Sequence, residues 1–171
     1  MKMTLKTWFI FFIATIALGG CNTPTEEEAV MQAREEAIMV FEEDTPIESN
    51  TELDDTALYI SNKMEVQNAD KNNLILEDGN QTYILFNNPI EDQFSELNYH
   101  AAETNQALIL ESFQDNEKFG YIRVLPDEEE GYELQVGVGG VKITTYTSKE
   151  NLSDDAEEMM KMAKYYALNQ S

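Results

Sequence analysis

The 171-residue chain has a single cysteine, a single histidine and only 11 basic residues against 33 acidic ones. Each scarcity excludes a class of function. The lone cysteine, Cys21, has no second cysteine to form a disulfide or a metal-binding or redox pair, and no histidine adjoins it. The core therefore has to hold itself by packing, even in an oxidising compartment where disulfides form. With one histidine, His100, any Ser-His-Asp site would have to be built on that residue, yet no Gly-x-Ser-x-Gly surrounds any serine. Tyr99-His100-Ala101 lies outside any motif and reads as a surface or satisfied histidine, or at most a pH-sensitive contact. The formal charge of −22 repels phosphates and anionic headgroups, so nucleic acid is not an expected partner. Long apolar runs are also scarce, with only one, at the beginning.

That run sets where the rest works. Lys2 and Lys6 precede an almost unbroken apolar stretch from Thr7 to Ala17, and small residues lead from it to Cys21. This is the layout of an export signal, and it is shorter than the roughly 20 residues a helix needs to cross the hydrocarbon. Leu18-Gly19-Gly20-Cys21 resembles the bacterial lipobox, in which diacylglycerol is attached to the cysteine sulfur and the chain is cut just before it. The resemblance implies a signal peptide over 1–20, lipidation at Cys21, a tether over 21–24 and a single domain over 25–171. The body would then sit on the extracytoplasmic face of the cell membrane, with the membrane itself as a partner through the lipid anchor. Each buried methylene contributes about 0.8 kcal/mol, so two or three acyl chains hold firmly where one holds marginally. Loss of Lys2 and Lys6 with the signal takes the formal charge from −22 to −24.

About 150 residues remain, enough for one ordinary domain. Thr25 as N-cap with Glu28 three residues on forms a capping box, and Val30, Ala33, Ala37, Val40 and Phe41 recur at helical spacing. Pro46 ends that helix, and 45–55 reads as a mobile connection. From Ala57 the pattern becomes strand-like, first at Ala57–Ser61 and Met64–Gln67. Asn73–Glu77 and Gln81–Asn87 flank Asp78-Gly79, a hairpin-turn dipeptide, which predicts Leu74 opposite Tyr83 and Ile75 opposite Thr82. Both faces of that hairpin are apolar, so it is expected to be covered on its two sides. Leu97–Ala101 reads as a weak strand or irregular piece. Leu108–Phe113 with Phe119–Leu125, and Tyr132–Val138 with Val141–Thr147 around Gly139-Gly140, read as two more hairpins. In the last, Glu133, Gln135, Lys142, Thr144 and Tyr146 share the face that should stay half exposed. Ser153 is the expected N-cap of a final helix whose stripe is Ala156, Met159, Met160, Ala163 and Tyr166. The fold class is therefore α+β: an antiparallel sheet of six to eight strands in successive hairpins, flanked by N-terminal and C-terminal helices, in two layers or three.

Motifs that carry chemistry are few. Glycoside hydrolysis needs two carboxyl groups in a cleft with one pKa raised by burial, and only Glu111, between Leu110 and Phe113, lies in an apolar run. Asp70-Lys71-Asn72-Asn73 starts like a calcium loop and fails at Leu74 and Ile75, while Asp127–Glu130 reads as a charged turn able to hold a cation weakly. Met159, Met160 and Met162 suggest copper less than core packing. No catalytic residue, metal site or cofactor is assigned. Lys142, Thr144 and Tyr146 are the candidate partner surface.

The whole chain resembles small acidic lipoproteins of Gram-positive bacteria, on its signal and its composition. Gly140-Val141-Lys142-Ile143-Thr144 with Asp155–Ala163 is faintly similar to the C-terminal ends of extracytoplasmic domains in sporulation lipoproteins and anti-sigma factors. The expectation is a membrane-anchored, non-enzymatic binding or accessory module with an envelope protein partner. The alternatives are a carrier or chaperone of an apolar ligand held between the sheet and a terminal helix, or a cation-responsive acidic protein.

Overall fold

The computed structural model describes residues 23–53, 56–127 and 131–169. Residues 1–22, including the signal-like segment and Cys21, lie outside them, as do Asp54, Asp55 and most of the acidic turn after Asp127.

Helix α1 (Glu26–Glu42) begins at the expected capping box. Thr25 Oγ1 accepts from Glu28 N at 3.2 Å, and Glu28 Oε2 accepts from Thr25 N at 2.8 Å. All five expected stripe residues are buried. Two short strands follow, β1 (Thr51–Leu53) and β2 (Thr56–Leu58), paired with each other. The expected mobile connection over 45–55 thus contains a strand, because the Asn50 side chain donates to Ile60 O and accepts from Ile60 N, pinning the ribbon at its base. The main sheet comprises β3 (Glu65–Ala69), β4 (Asn73–Asp78), β5 (Gln81–Asn87), β6 (Ile109–Gln114), β7 (Phe119–Pro126), β8 (Tyr132–Val138) and β9 (Val141–Thr147). Its order is β3-β4-β5-β9-β8-β7-β6, antiparallel throughout. A short helix α2 (Leu97–Ala101) lies between β5 and β6, and α3 (Leu152–Asn169) closes the chain. The α+β sheet flanked by terminal helices is the observed architecture.

Both long helices pack on one face of the sheet, α3 over β8 and β9, and α1 beside it toward β7. That face carries Leu74, Leu76, Tyr83 and Leu85 from the central hairpin, and Leu134, Val136, Val138 and Ile143 from the last one, all buried. Met159, Met160 and Met162 of α3 are fully buried against it, which is the packing role of methionine. Tyr83, Tyr121 and Tyr166 are buried too, and burial pushes each hydroxyl well above its usual pKa.

Four local expectations change. The central hairpin pairs Leu74 with Leu85 and Ile75 with Ile84, two residues away from the expected register, because the turn is Gly79-Asn80 with Gly79 at φ +58°. A slip of two leaves every side chain on its expected face. Among the described residues the hairpin is covered on one side only: Ile84 is 47% exposed on the other face, where none of the described long helices packs. Leu97–Ala101 is helical, with His100 N bonding Glu96 O at 3.0 Å, so neighbouring Asn98 and Tyr99 both turn inward. Helix α3 starts at Leu152, ahead of the expected cap Ser153, and Asp155 N donates to Asn151 O at 2.9 Å.

The segment 88–102 covers part of the opposite sheet face. The Tyr99 ring lies 5.7 Å from Phe119 and 6.0 Å from Tyr121, and Asn98 Nδ2 donates to Gly139 O at 3.2 Å. This strap also grips the β8–β9 turn and the start of β7: Asn88 N bonds Gly140 O at 3.0 Å, Gly140 N bonds Asp92 O at 3.2 Å and Phe119 N bonds Gln93 O at 2.9 Å. Gly139, at φ +52°, would place a Cβ only 2.4 Å from Asp92 O. The glycine pair is required both by the turn and by the strap lying against it.

Candidate functional site

The ends of the sheet differ. At one end, where β8 begins and β9 finishes, the first turn of α3 is held by Asp155, a buried carboxylate. Its Oδ1 accepts from Tyr83 OH at 2.8 Å, and its Oδ2 accepts from Gln81 Nε2 at 2.8 Å and from Thr147 Oγ1. Three neutral donors from β5 and β9 converge on one acid. The start of α1 lies at this end as well, where Tyr132 OH donates to Glu26 Oε2 at 3.2 Å.

At the other end, where β4 starts, β5 finishes and β9 starts, the strands stop short of the β1–β2 ribbon, the strap and the last turn of α3. A groove of about 990 Å³ lies between them. Its walls include Leu53, Leu58, Leu74, Leu85, Val141 and Tyr166. Its rim carries Asp70, Lys71, Asn72, Asn73, Glu91 and Asp92. The volume is at the top of the roughly 300–1,000 Å³ range of small-molecule sites. Ile90, on the strap beside it, is 89% exposed.

The rim is locally ordered. Asp70 Oδ1 accepts from Asn72 N and Asn73 N at 2.8 and 2.9 Å, and those backbone donors draw its pKa down. Asp70-Lys71-Asn72-Asn73, which begins like a calcium loop, is a capped turn between β3 and β4. Glu91 Oε2 accepts from Ser95 Oγ at 2.6 Å, and Asp92 Oδ1 from Phe94 N at 2.9 Å. Among the described residues, no group of three or more His, Cys, Asp or Glu is placed to hold a metal ion.

The residues singled out in the sequence fall elsewhere. Lys142, Thr144 and Tyr146 do share one face of β9, the face away from the long helices and from the groove walls. Lys142 Nζ lies 5.6 Å from the Phe86 ring, Thr144 Oγ1 accepts from Gln135 Nε2 at 3.0 Å, and Tyr146, 61% exposed, donates to Glu133 Oε2 at 3.3 Å. Glu111 is engaged by Arg34 of α1, with Nε and Nη2 donating to its two oxygens at 2.6 and 2.5 Å. That bidentate clasp ties α1 to edge strand β6 and leaves no free acid there. His100 sits between Glu103 and Glu96 at 3.0 and 3.3 Å, and the hydrogen bond to Glu103 raises its pKa. Among the described residues no serine is bonded to it. Cys21 lies outside the described residues.

Sequence reading missed the Asp155 clamp, the groove and a buried lysine. Lys164 of α3 donates to Val40 O at 2.9 Å and to Glu43 O, closing the C-terminal end of α1 with a cation. Burial, with Lys118 nearby, lowers its pKa. The signal for Asp155 and Lys164 is positional: each occupies a helical position continuous with Leu152, Ala156, Met159 and Met160. A charge inside a buried stripe must find partners in the core.

Among the described residues no helix is long and apolar enough to cross a membrane. No protein-family model matches the chain, and searches of curated proteins and of solved structures return no match either.

Proposed function

We propose that the chain is a lipid-anchored, non-enzymatic binding module on the extracytoplasmic face of the membrane, and that its binding site is the groove at the β4–β5–β9 end. The anchor rests on Leu18-Gly19-Gly20-Cys21 and the apolar run before it. The binding reading is carried by one observation: an open groove of about 990 Å³ whose lining is about half polar and half apolar. Asp155, Glu111 and Lys164 are engaged in holding elements together. A carrier for an apolar ligand uses the same walls and remains the second reading, since the groove lies between the sheet end and α3.

The test is uptake of Nile red, a neutral apolar dye that the acidic surface does not repel. One dye per chain should bind with a blue-shifted emission. Ala69→Trp, at an exposed strand position lining the groove, and Ile90→Asp should each weaken uptake about tenfold. Both sites are solvent-facing, so the melting temperature should hold. Unchanged affinity in both variants contradicts the assignment of the groove.

A further inference from the structure

We infer that a second copy of this chain docks on the open face of β4, β5 and β9, turned over about the diagonal that runs from Asn73 to Tyr146. This surface is separate from the groove. Of its three supports, only the last uses the lipid-anchored reading.

The first support is an apolar centre left open. The described long helices lie on the other face of the sheet, and the strap lies on this one over Tyr121 of β7. Strand pairing sets Asn73, Phe86 and Lys142 in one row across β4, β5 and β9, and Ile75, Ile84 and Thr144 in the next. In the third row Glu77 pairs with Thr82, and Tyr146 stands two residues beyond Thr144 on β9. Ile84, in the middle, is 47% exposed, with Ile75 and Phe86 half-buried beside it.

The second is charge. Glu77 sits directly opposite Glu65 of β3, a like-charged pair that weakens a sheet unless a cation joins it. Among the described residues neither acid is in an ion pair, and Lys142 on the same face is in none either. Lys142 and Glu77 occupy opposite corners of the patch, about 17 Å apart by strand geometry, so they cannot meet within one copy. A second copy laid face to face about the other diagonal brings each Lys142 onto Glu77 of its neighbour. The same operation sets Phe86 on Ile75 and Ile84 on Ile84. This is an isologous contact, with strands crossing near a right angle as sheets are known to pack. Strand and row spacings of about 4.8 and 6.8 Å leave Lys142 and Glu77 about 3 Å from superposition, within reach of the lysine stem.

The third is placement. Tyr132 pairs with Thr147, the residue after Tyr146, and its hydroxyl meets Glu26 in the first turn of α1. The diagonal from Asn73 to Tyr146 therefore points toward the start of α1. A two-fold axis along it sends both tethers out on the same side. Cys21, four residues from Thr25, reaches at most about 14 Å from it, so both lipids enter one bilayer. The patch, about 14 by 20 Å, is smaller than the roughly 800 Å² per partner of a stable free pair. Confinement to one membrane raises the effective concentration, and the contact belongs to the anchored chain.

The experiment reconstitutes the lipidated full-length chain at low density in phosphatidylcholine vesicles and treats it with a short bismaleimide, to which the thioether of Cys21 is inert. Tyr146→Cys lies on the axis and should give a cross-linked dimer. Met39→Cys, at a similarly exposed position on α1, should give about tenfold less. Lys142→Glu and Glu77→Lys, each added to Tyr146→Cys, should each cut the dimer about tenfold, and the two together should restore at least about half of it. Cross-linking at Tyr146→Cys no greater than at Met39→Cys, or a double exchange no better than the single ones, overturns the inference. Flotation with the vesicles reports the anchor separately. A chain that cross-links with this charge dependence but does not float contradicts the lipid-anchored reading and leaves the interface standing.

Discussion

Asp155→Ala should destabilise the fold by about 3–5 kcal/mol, the largest loss expected from a single polar truncation in this chain. The carboxylate is buried and accepts from Tyr83 OH, Gln81 Nε2 and Thr147 Oγ1. Removing it strands three donors where β5 and β9 meet the first turn of α3, and water reaches them poorly. Asp155→Asn keeps the shape and one good acceptor, so it should cost less than half as much. A second readout separates lost bonds from lost packing. Tyr83 has its pKa pushed up by burial first, and then by its bond to Asp155 and the charge of that carboxylate. In Asp155→Asn the charge is gone, and Tyr83 should ionise at lower pH than in the wild-type protein. Chemical denaturation and the tyrosinate absorbance titration measure the two effects. A variant as stable as wild type would mean that the clamp is dispensable.

Gly137→Ala should cost about 2–3 kcal/mol, because it overfills a site with no room to yield. A Cβ there would lie 2.3 Å from Tyr121 Cε1 and 2.8 Å from Val141 O. The ring cannot swing aside: its hydroxyl donates to Gln135 Oε1 at 2.9 Å, and Tyr99 packs edge-on against it. Val141 O is backbone inside the β8–β9 hairpin. The strap that carries α2 rests on Tyr121 through Tyr99, so the same substitution should also raise amide exchange across residues 97–102. Gly79→Asn is the control, since a Cβ at Gly79 meets nothing within 4 Å and asparagine tolerates its φ of +58°. Near-equal melting temperatures for the two variants would contradict the account of this face.

What the sequence revealed and what it withheld follow from the range of each interaction. Helix α1 was legible to its cap because Thr25 and Glu28 act within one turn. The Tyr132–Thr147 hairpin was legible because Gly139-Gly140 and the strict alternation around it agree. The central hairpin kept its faces and lost its register because Asp78-Gly79 and Gly79-Asn80 are both competent turn dipeptides two residues apart in pairing. Leu97–Ala101 misled because a helix of five residues is too short to show a period. The groove was out of reach altogether: its walls come from β1, β2, β4, β5, β9 and α3, brought together only by topology. The candidate surface at Lys142, Thr144 and Tyr146 was correctly assembled as one face, but strand alternation carries no information about which face borders a concavity.

The central claim is a body held to the membrane by one end, and the intact mass of the polypeptide isolated from its native envelope tests it most directly. The account requires a chain that starts at Cys21 and is heavier than residues 21–171 by a diacylglycerol, with or without a further acyl group. An unmodified chain that still starts at Met1 would contradict it.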